Sequence, residues 1–220
     1  MFLVFKNFIS LFLDLIYKQK CLICSCAKTN ELLCKTCAKN VHYLSCFPQK
    51  FYNEIPIYCA TIYENIIKTL IHQLKFSHKK NAAKVLANLL FNYYQKLDFK
   101  KNDFIITYPK SYISKSFERG YNHMSLVVKE FSKLTGYKIE HNLIKKIKYT
   151  KPQYQVKNRF KNIKDSFQID EKILEKYQNK NILFIDDITT SGATVEEILN
   201  LFCNLNYKNI TCLIISKTKN

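Results

Sequence analysis

Residues 182–194 read Ile-Leu-Phe-Ile-Asp-Asp-Ile-Thr-Thr-Ser-Gly-Ala-Thr, and their order decides the fold. Four apolar residues, Ile182 to Ile185, predict a buried strand too short to be a helix. Asp186 and Asp187 follow at its C-terminal end. The small-residue loop Thr189, Thr190, Ser191, Gly192, Ala193 and Thr194 then feeds an apolar-periodic helix from Val195 to about Leu205. Open α/β sheets bind their ligands at that end of the strands. A run of small residues there can turn its backbone N–H groups inward and hold a phosphate at a helix N-terminus. The paired carboxylates suit vicinal sugar hydroxyls, from which they accept hydrogen bonds. Loop and acids together describe a site for a ribose 5-phosphate. It requires a loop that faces outward and acids that are free of bridges to lysine.

The segment resembles the signature of the phosphoribosyltransferases: four apolar residues, two acidic ones, two variable positions and a Thr-Ser/Thr-Gly-x-Thr loop. The resemblance implies an α/β fold with a phosphoribosyltransferase-like parallel sheet and flanking helices.

At 220 residues the chain can bury one core plus a small appendage. A hydrophobic content of 47% excludes a disordered chain. Thirty-five Lys and Arg against 17 Asp and Glu leave a net charge of +18, a field that favours nucleic acid or an acidic membrane surface. Lysine supplies all but two of the basic residues and asparagine is abundant, so AT-rich coding bias offers a second source of the excess. The two arginines, Arg119 and Arg159, stand out in a lysine-rich chain, because arginine gives planar, bidentate recognition of phosphate or carboxylate. Of the three glycines, Gly120 and Gly192 fall in candidate ligand loops.

Nine cysteines include six between Cys21 and Cys46. Cys21-x-x-Cys24 and Cys34-x-x-Cys37 supply four thiolates, the number that tetrahedral Zn²⁺ takes at ~2.3 Å. A module with so little apolar surface needs such a staple. Four protein ligands leave no open position, so the zinc is structural. Cys26 and His42 are alternative ligands, and a redox Cys-x-x-Cys lacks its strand–helix setting here. An odd cysteine count with this rhythm fits a reducing, cytoplasmic compartment better than a disulfide framework. Residues 1–17 are strongly apolar yet shorter than the ~20 residues of a membrane span. Lys6, Asn7, Ser10 and Asp14 share one helical stripe, and no small-residue cleavage site follows. The stretch reads as an amphipathic helix that packs on the protein or lies on the inner membrane surface, with packing preferred.

Three sections result: an amphipathic helix over 1–20, a zinc-binding module over 21–58 and an α/β domain over 59–220. In the last, Ile66, Ile67, Leu70, Ile71 and Leu74 repeat with helical spacing, and Ala82 to Leu97 form a second helix. Phe104 to Tyr108 form a buried strand stopped by Pro109. Met124 to Leu134 form a helix ended by Gly136, and Ile210 to Ile215 close the sheet. Residues 142–164 are polar and basic without strong periodicity.

A four-cysteine knuckle ahead of a phosphoribosyltransferase-like domain resembles the ComF family (ComFC or GntX-like). Tyr63 with Leu70-Ile71-His72-Gln73-Leu74-Lys75-Phe76 is similar to the family's aromatic start and its Leu-Ile-x-x-Leu-Lys-Phe/Tyr helix. Arg119-Gly120-Tyr121-Asn122-His123 is similar to its Arg-Gly-Phe-Asn-Gln segment. Thr150-Lys151-Pro152-Gln153, Arg159, Asn162 and Phe167 match later positions. Two departures stand out: Thr107-Tyr108-Pro109 replaces Pro-Val-Pro, and His123 stands where Gln is usual.

The resemblance implies a cytosolic competence protein that supports natural transformation and DNA uptake, with single-stranded DNA, phosphoribosyl pyrophosphate and a helicase-like translocase as partners. Asp186 and Asp187 would hold the ribose hydroxyls, or stabilise an oxocarbenium-like centre in a true transferase. Thr189, Thr190, Ser191, Gly192, Ala193 and Thr194 would bind the 5′-phosphate. The pyrophosphate would lie against Lys110 and Arg119, with Mg²⁺ chelated mainly by the ligand. Catalysis stays open, since no pocket for an acceptor base is legible. A non-catalytic sensor of phosphoribosyl pyrophosphate is the third alternative. Residues 142–164 hold Lys145, Lys146, Lys148, Lys151, Lys157, Arg159, Lys161 and Lys164, interleaved with Tyr149, Tyr154 and Phe160 and free of acids. Cations with aromatic platforms suit single-stranded nucleic acid; a hood whose lysines serve only the substrate's phosphates is the alternative.

Overall fold

The computed structural model describes residues 19–26, 31–97, 99, 103–110, 120–150, 156 and 158–219. All but the end of the helix expected over 1–20 lies outside them, as do Arg119, Lys151, Tyr154 and Lys157. The chain divides into two compact units, Met1–Val41 and His42–Asn220. In the first, the Cys21–Cys24 turn precedes a short helix, α1 (Lys35–Lys39), whose N-cap is Cys34 and which contains Cys37.

In chain order the second unit opens with β1 (Lys50–Tyr52), β2 (Ile55–Ile62), α2 (Asn65–Phe76) and α3 (Ala82–Tyr94). It continues through β3 (Phe104–Thr107), α4 (His123–Thr135), β4 (Lys138–Ile139) and β5 (Ile144–Lys146). The last elements are α5 (Arg159–Ile163), β6 (Phe167–Ile169), α6 (Glu171–Glu175), β7 (Asn181–Thr189), α7 (Ala193–Asn204) and β8 (Ile210–Lys217). Residues 42–58, assigned from sequence to the cysteine module, therefore supply β1 and the start of β2. Pro56 near the start of β2 and the three-residue length of β1 hide both from a periodicity test.

One six-stranded sheet runs β1-β2-β8-β7-β3-β4. Only the β1–β2 hairpin is antiparallel; β2–β8, β8–β7, β7–β3 and β3–β4 are all parallel. The expected parallel α/β sheet with flanking helices is therefore present. β7 lies inside the sheet, with Phe184 paired to both Thr107 and Cys212. Buried on both faces, it is a continuous apolar run rather than an alternating one.

Successive side chains of a strand point to opposite faces. Ile182 and Phe184 belong to a core cluster with Val195, Ile198, Leu199 and Phe202 of α7. Leu183 and Ile185 are equally buried but stand outside that cluster. They face the other side, where α2, α3 and α4 pack on one another and α4 meets β3 and β7.

Residues 142–150 and 158–164 carry more regular structure than their composition suggests. β5 and β6 form a small antiparallel sheet, and Ile144, Ile163, Phe167 and Ile169 join the α7 core. Elements this short carry too few repeats for a period to show.

α4 starts where the sequence permits. Asn122 is its N-cap, and Oδ1 accepts from the Met124 and Ser125 N–H groups at 2.9 and 3.2 Å. Gly136 ends it in the left-handed region at φ 77°. Replacing a capping Asn by Ala costs about 1 kcal/mol. Asn122→Ala is therefore expected to lower unfolding stability by about 1 kcal/mol in a denaturant titration.

Candidate functional site

The strand-end loop faces solvent, as the sugar-phosphate assignment requires. Thr190 is exposed, and Thr189, Ser191, Gly192 and Thr194 are half-buried. Residues 188–195 line a shallow concavity of about 30 Å³. That is far below the ~300–1,000 Å³ of pockets that enclose a whole drug-sized ligand, so it takes only one small end of a longer molecule. Gly192 is the N-cap of α7 at φ 84°, a backbone state that favours glycine, and no side chain caps the helix. Ala193 N–H meets Ser191 Oγ at 3.4 Å; N–H groups at such a helix start are of the kind that receive anions. Glu196, in that first turn, folds back towards Gly192 and pairs with Lys50 of β1.

The two acids part company. Both are at the end of β7 and nearly buried, at 7% and 8% exposure, but the pleat sends them to opposite faces. Asp187 turns to the α2–α4 side, where Lys75 Nζ lies 2.5 Å and His123 Nε2 2.6 Å from its Oδ2. An ionised carboxylate only accepts, so His123 must donate through Nε2–H. Burial raises the Asp187 carboxyl, yet Lys75 and His123 outweigh that and hold it well below the ordinary carboxylate range. Among the described residues, Asp186 has no such ion pair. Its Oδ1 accepts the Asp187 backbone N–H at 2.9 Å, while burial and the charge of Asp187 push it up to about 7.

The expectation of two acids free of lysine is therefore contradicted at Asp187. A buried acid inside the sheet needs a counter-charge, and the helical face that its pleat position selects supplies one. Both cationic contacts use Oδ2, so Oδ1 takes part in neither. Lys75 and His123 lie in the two motif segments quoted above, but no role was assigned to them from sequence. Only the fold brings positions 75, 123 and 187 together.

Lys110 follows β3 on the same edge of the sheet and donates to Asn142 Oδ1 at 2.6 Å. Tyr108 OH meets His141 Nδ1 at 2.9 Å nearby. Two of the expected nucleic-acid lysines are engaged within the fold. Lys145 pairs with Asp170 at 2.7 Å, an acid just beyond the stretch that sequence marked as acid-free. Lys146 donates to Thr150 Oγ1 at 2.7 Å and lies over the Phe167 ring. Lys148 and Lys161 are exposed, and Arg159 is half-buried.

In the first unit, the Sγ atoms of Cys21, Cys24, Cys34 and Cys37 all lie within 4.8 Å of one another. The Cys24–Cys34 separation is 3.6 Å, close to the ~3.8 Å edge of a sulfur tetrahedron with ~2.3 Å bonds. Backbone N–H groups support the thiolates: Cys34 N–H reaches Cys21 Sγ at 3.4 Å, and Cys37 N–H reaches Cys34 Sγ at 3.5 Å. Burial raises the Cys21 thiol, but these and neighbouring N–H groups bring it down to about 6. Burial and the adjacent sulfurs push Cys37 up. The four donors fit a structural zinc ion. Cys26 is not in the cluster, and His42 pairs with Glu64.

The geometry defines the class: an α/β protein whose interior parallel strand ends in an acid pair and a small-residue loop, with a four-cysteine cluster earlier in the chain. Comparison with known proteins narrows it. The chain is 25% identical over 192 residues to DNA utilization protein YhgH of Escherichia coli O157:H7, covering 82% of each chain. It is 27% identical over 150 residues to competence protein F of Haemophilus influenzae, covering 66% of this chain and 65% of that one. The chain is thus a relative of the YhgH and competence protein F proteins. No family model matches it. Among solved structures, a hypothetical protein from Neisseria gonorrhoeae with bound ppGpp aligns at a TM-score of 0.38 and 13% identity, covering 66% and 70% of the two chains. A hypoxanthine phosphoribosyl transferase of Trypanosoma cruzi aligns at 0.35 and 11%, covering 64% and 65%. Among the described residues, no helix is long and apolar enough to cross a membrane.

Two outcomes are expected. Atomic emission should find one zinc ion per chain, and Cys34→Ser should lose it and open residues 21–41 to protease. A raised Asp186 favours the folded state while protonated, so its contribution is full below the unfolded carboxylate value and is lost as pH rises to about 7. Melting temperature measured between about pH 4 and about pH 8 should therefore fall less steeply in Asp186→Asn than in the parent chain.

Proposed function

We propose that the chain handles single-stranded DNA in a competence-related process, while the loop at the end of β7 holds a phosphorylated ribose. The observation that carries the DNA reading is exposure: Ile147, Tyr149 and Phe160 are 54%, 52% and 50% exposed, and Lys148, Lys161 and Lys164, within a few residues of them in sequence, are exposed as well. Aromatic faces beside cations suit unpaired bases and their phosphates, and each stacked base contributes about 1–3 kcal/mol. The relatives' names, DNA utilization protein and competence protein F, point the same way. A helicase-like translocase on the cytoplasmic side of the inner membrane is the partner that such a role implies.

For the ribose, the loop takes the 5′-phosphate, and Asp186, on the same face of β7 as α7 and free of a lysine bridge, meets the hydroxyls. Phosphoribosyl pyrophosphate is the ligand of this shape that the family likeness suggests, bringing Mg²⁺ with it. The pairing of Asp187 weighs against catalysis. A carboxylate already neutralised by Lys75 and His123 offers a developing oxocarbenium ion less stabilisation than a free one.

A gel-shift titration with single-stranded DNA across a salt series should give a steep negative log–log slope. Tyr149→Ala and Phe160→Ala should each weaken binding by about 1–3 kcal/mol, and Lys148→Gln should lower the slope by about 0.7. A flat slope, or no shift with single strands, removes the DNA-handling role.

A further inference from the structure

The turn between α2 and α3 has no part in the strand-end loop, yet it gathers cations and aromatic rings at the surface. We propose that it is a second contact for single-stranded nucleic acid, distinct from residues 147–164, in which Phe76 stacks on an unpaired base and Lys79 and Lys80 take the flanking phosphates. This rests on the DNA reading above and adds a separate surface to it.

Three observations support it. First, no Asp or Glu occurs between Glu64 and Asp98, and His78, Lys79 and Lys80 are all exposed. Coding bias towards lysine adds cations but does not remove acids, so it leaves this gap unexplained. Among the described residues, neither Lys79 nor Lys80 has a salt bridge, unlike Lys145. Second, a ring is presented at the surface. Phe76, in the last turn of α2, is 55% exposed and is held against His72 one turn earlier, with ring centroids 5.0 Å apart. Stacking on such a ring needs no base-specific hydrogen bond, so any unpaired base fits. Third, the turn is fixed. The Ser77 and Lys79 N–H groups both donate to the Gln73 carbonyl, at 3.1 and 3.2 Å, and His78 stands between them in the left-handed region at φ 54°. Tyr121 OH donates to the Leu74 carbonyl at 2.6 Å. The Lys80 ammonium lies over the Tyr121 ring, 5.2 Å from its centroid, and the His78 ring meets it edge-on at 6.1 Å. Cations and rings already held in place lose less entropy on binding than free side chains do.

Charge and shape choose the occupant. Cations beside ring faces match the phosphates and bases of a single strand, whereas the bases of a duplex are stacked on one another and leave Phe76 nothing to cover. An acidic bilayer would attract the same lysines, but a helix that lies in a membrane buries a whole apolar face. Among the described residues, Phe76 is the one large apolar side chain exposed on this turn.

The test is fluorescence anisotropy of the full chain with a labelled single strand and with the matching duplex, across a salt series. It compares the parent with Phe76→Ala and with the double variant Lys79→Gln/Lys80→Gln, each confirmed folded by circular dichroism. Phe76→Ala should weaken single-strand binding at least about fivefold, and by more than it weakens duplex binding. The double variant should lower the single-strand salt slope by about 1.4. Unchanged single-strand affinity in Phe76→Ala, an equal loss on strand and duplex, or an unchanged slope in the double variant overturns this contact and leaves residues 147–164 as the DNA surface. Sedimentation with phosphatidylcholine–phosphatidylglycerol vesicles adds a second arm: loss of vesicle binding in Phe76→Ala with single-strand binding intact assigns the turn to a membrane and overturns the proposal. If the parent binds no single strands, the DNA reading itself fails, and this contact falls with it.

Discussion

Two neighbouring carboxylates at the end of an interior parallel strand are costly, and much of the site follows from how this chain accommodates them. Burial disfavours charge on both, and mutual repulsion makes double ionisation worse. The fold separates their roles. Asp187 stays charged against Lys75 and His123, and burial with the neighbouring charge pushes Asp186 up to about 7. The period-two geometry of β7 sets which acid does which, since each faces a different layer of helices.

That division ties distant segments together. The Leu-Lys-Phe end of α2, the Asn-His start of α4 and the Asp-Asp end of β7 are far apart in sequence, yet they share one ion cluster. Asn122 fixes the first turn of α4, and with it the imidazole that follows. On the other face, α7 packs beneath β7 and presents its uncapped N-terminus to the loop. The small-residue loop and the charged cluster are thus built by the two sides of one strand. A ligand bridging them would sense both.

Much of this was legible from sequence because the signals were local. The strand at 182–185, the loop at 189–194, the helix behind it and the cysteine spacing each depend on residues within a short window. The ion cluster was not, because no local rule links positions 75 and 187. Lys145 shows the same limit: it belongs to a basic run by composition, but strand pairing of β5 with β6 brings Asp170 against it. β1 and β2 were lost to the cysteine module for a different reason, a proline and a very short strand. The exposed aromatics at 149 and 160, by contrast, stayed at the surface as their setting among lysines suggested.

The central claim is that a sugar phosphate occupies the end of β7. The most direct measurement is a crystal structure of the full chain grown with phosphoribosyl pyrophosphate. The account predicts the 5′-phosphate within hydrogen-bonding distance of the backbone N–H groups of residues 190–194, with the ribose ring beside Asp186. A phosphate bound elsewhere on the chain, with that loop empty, would contradict it.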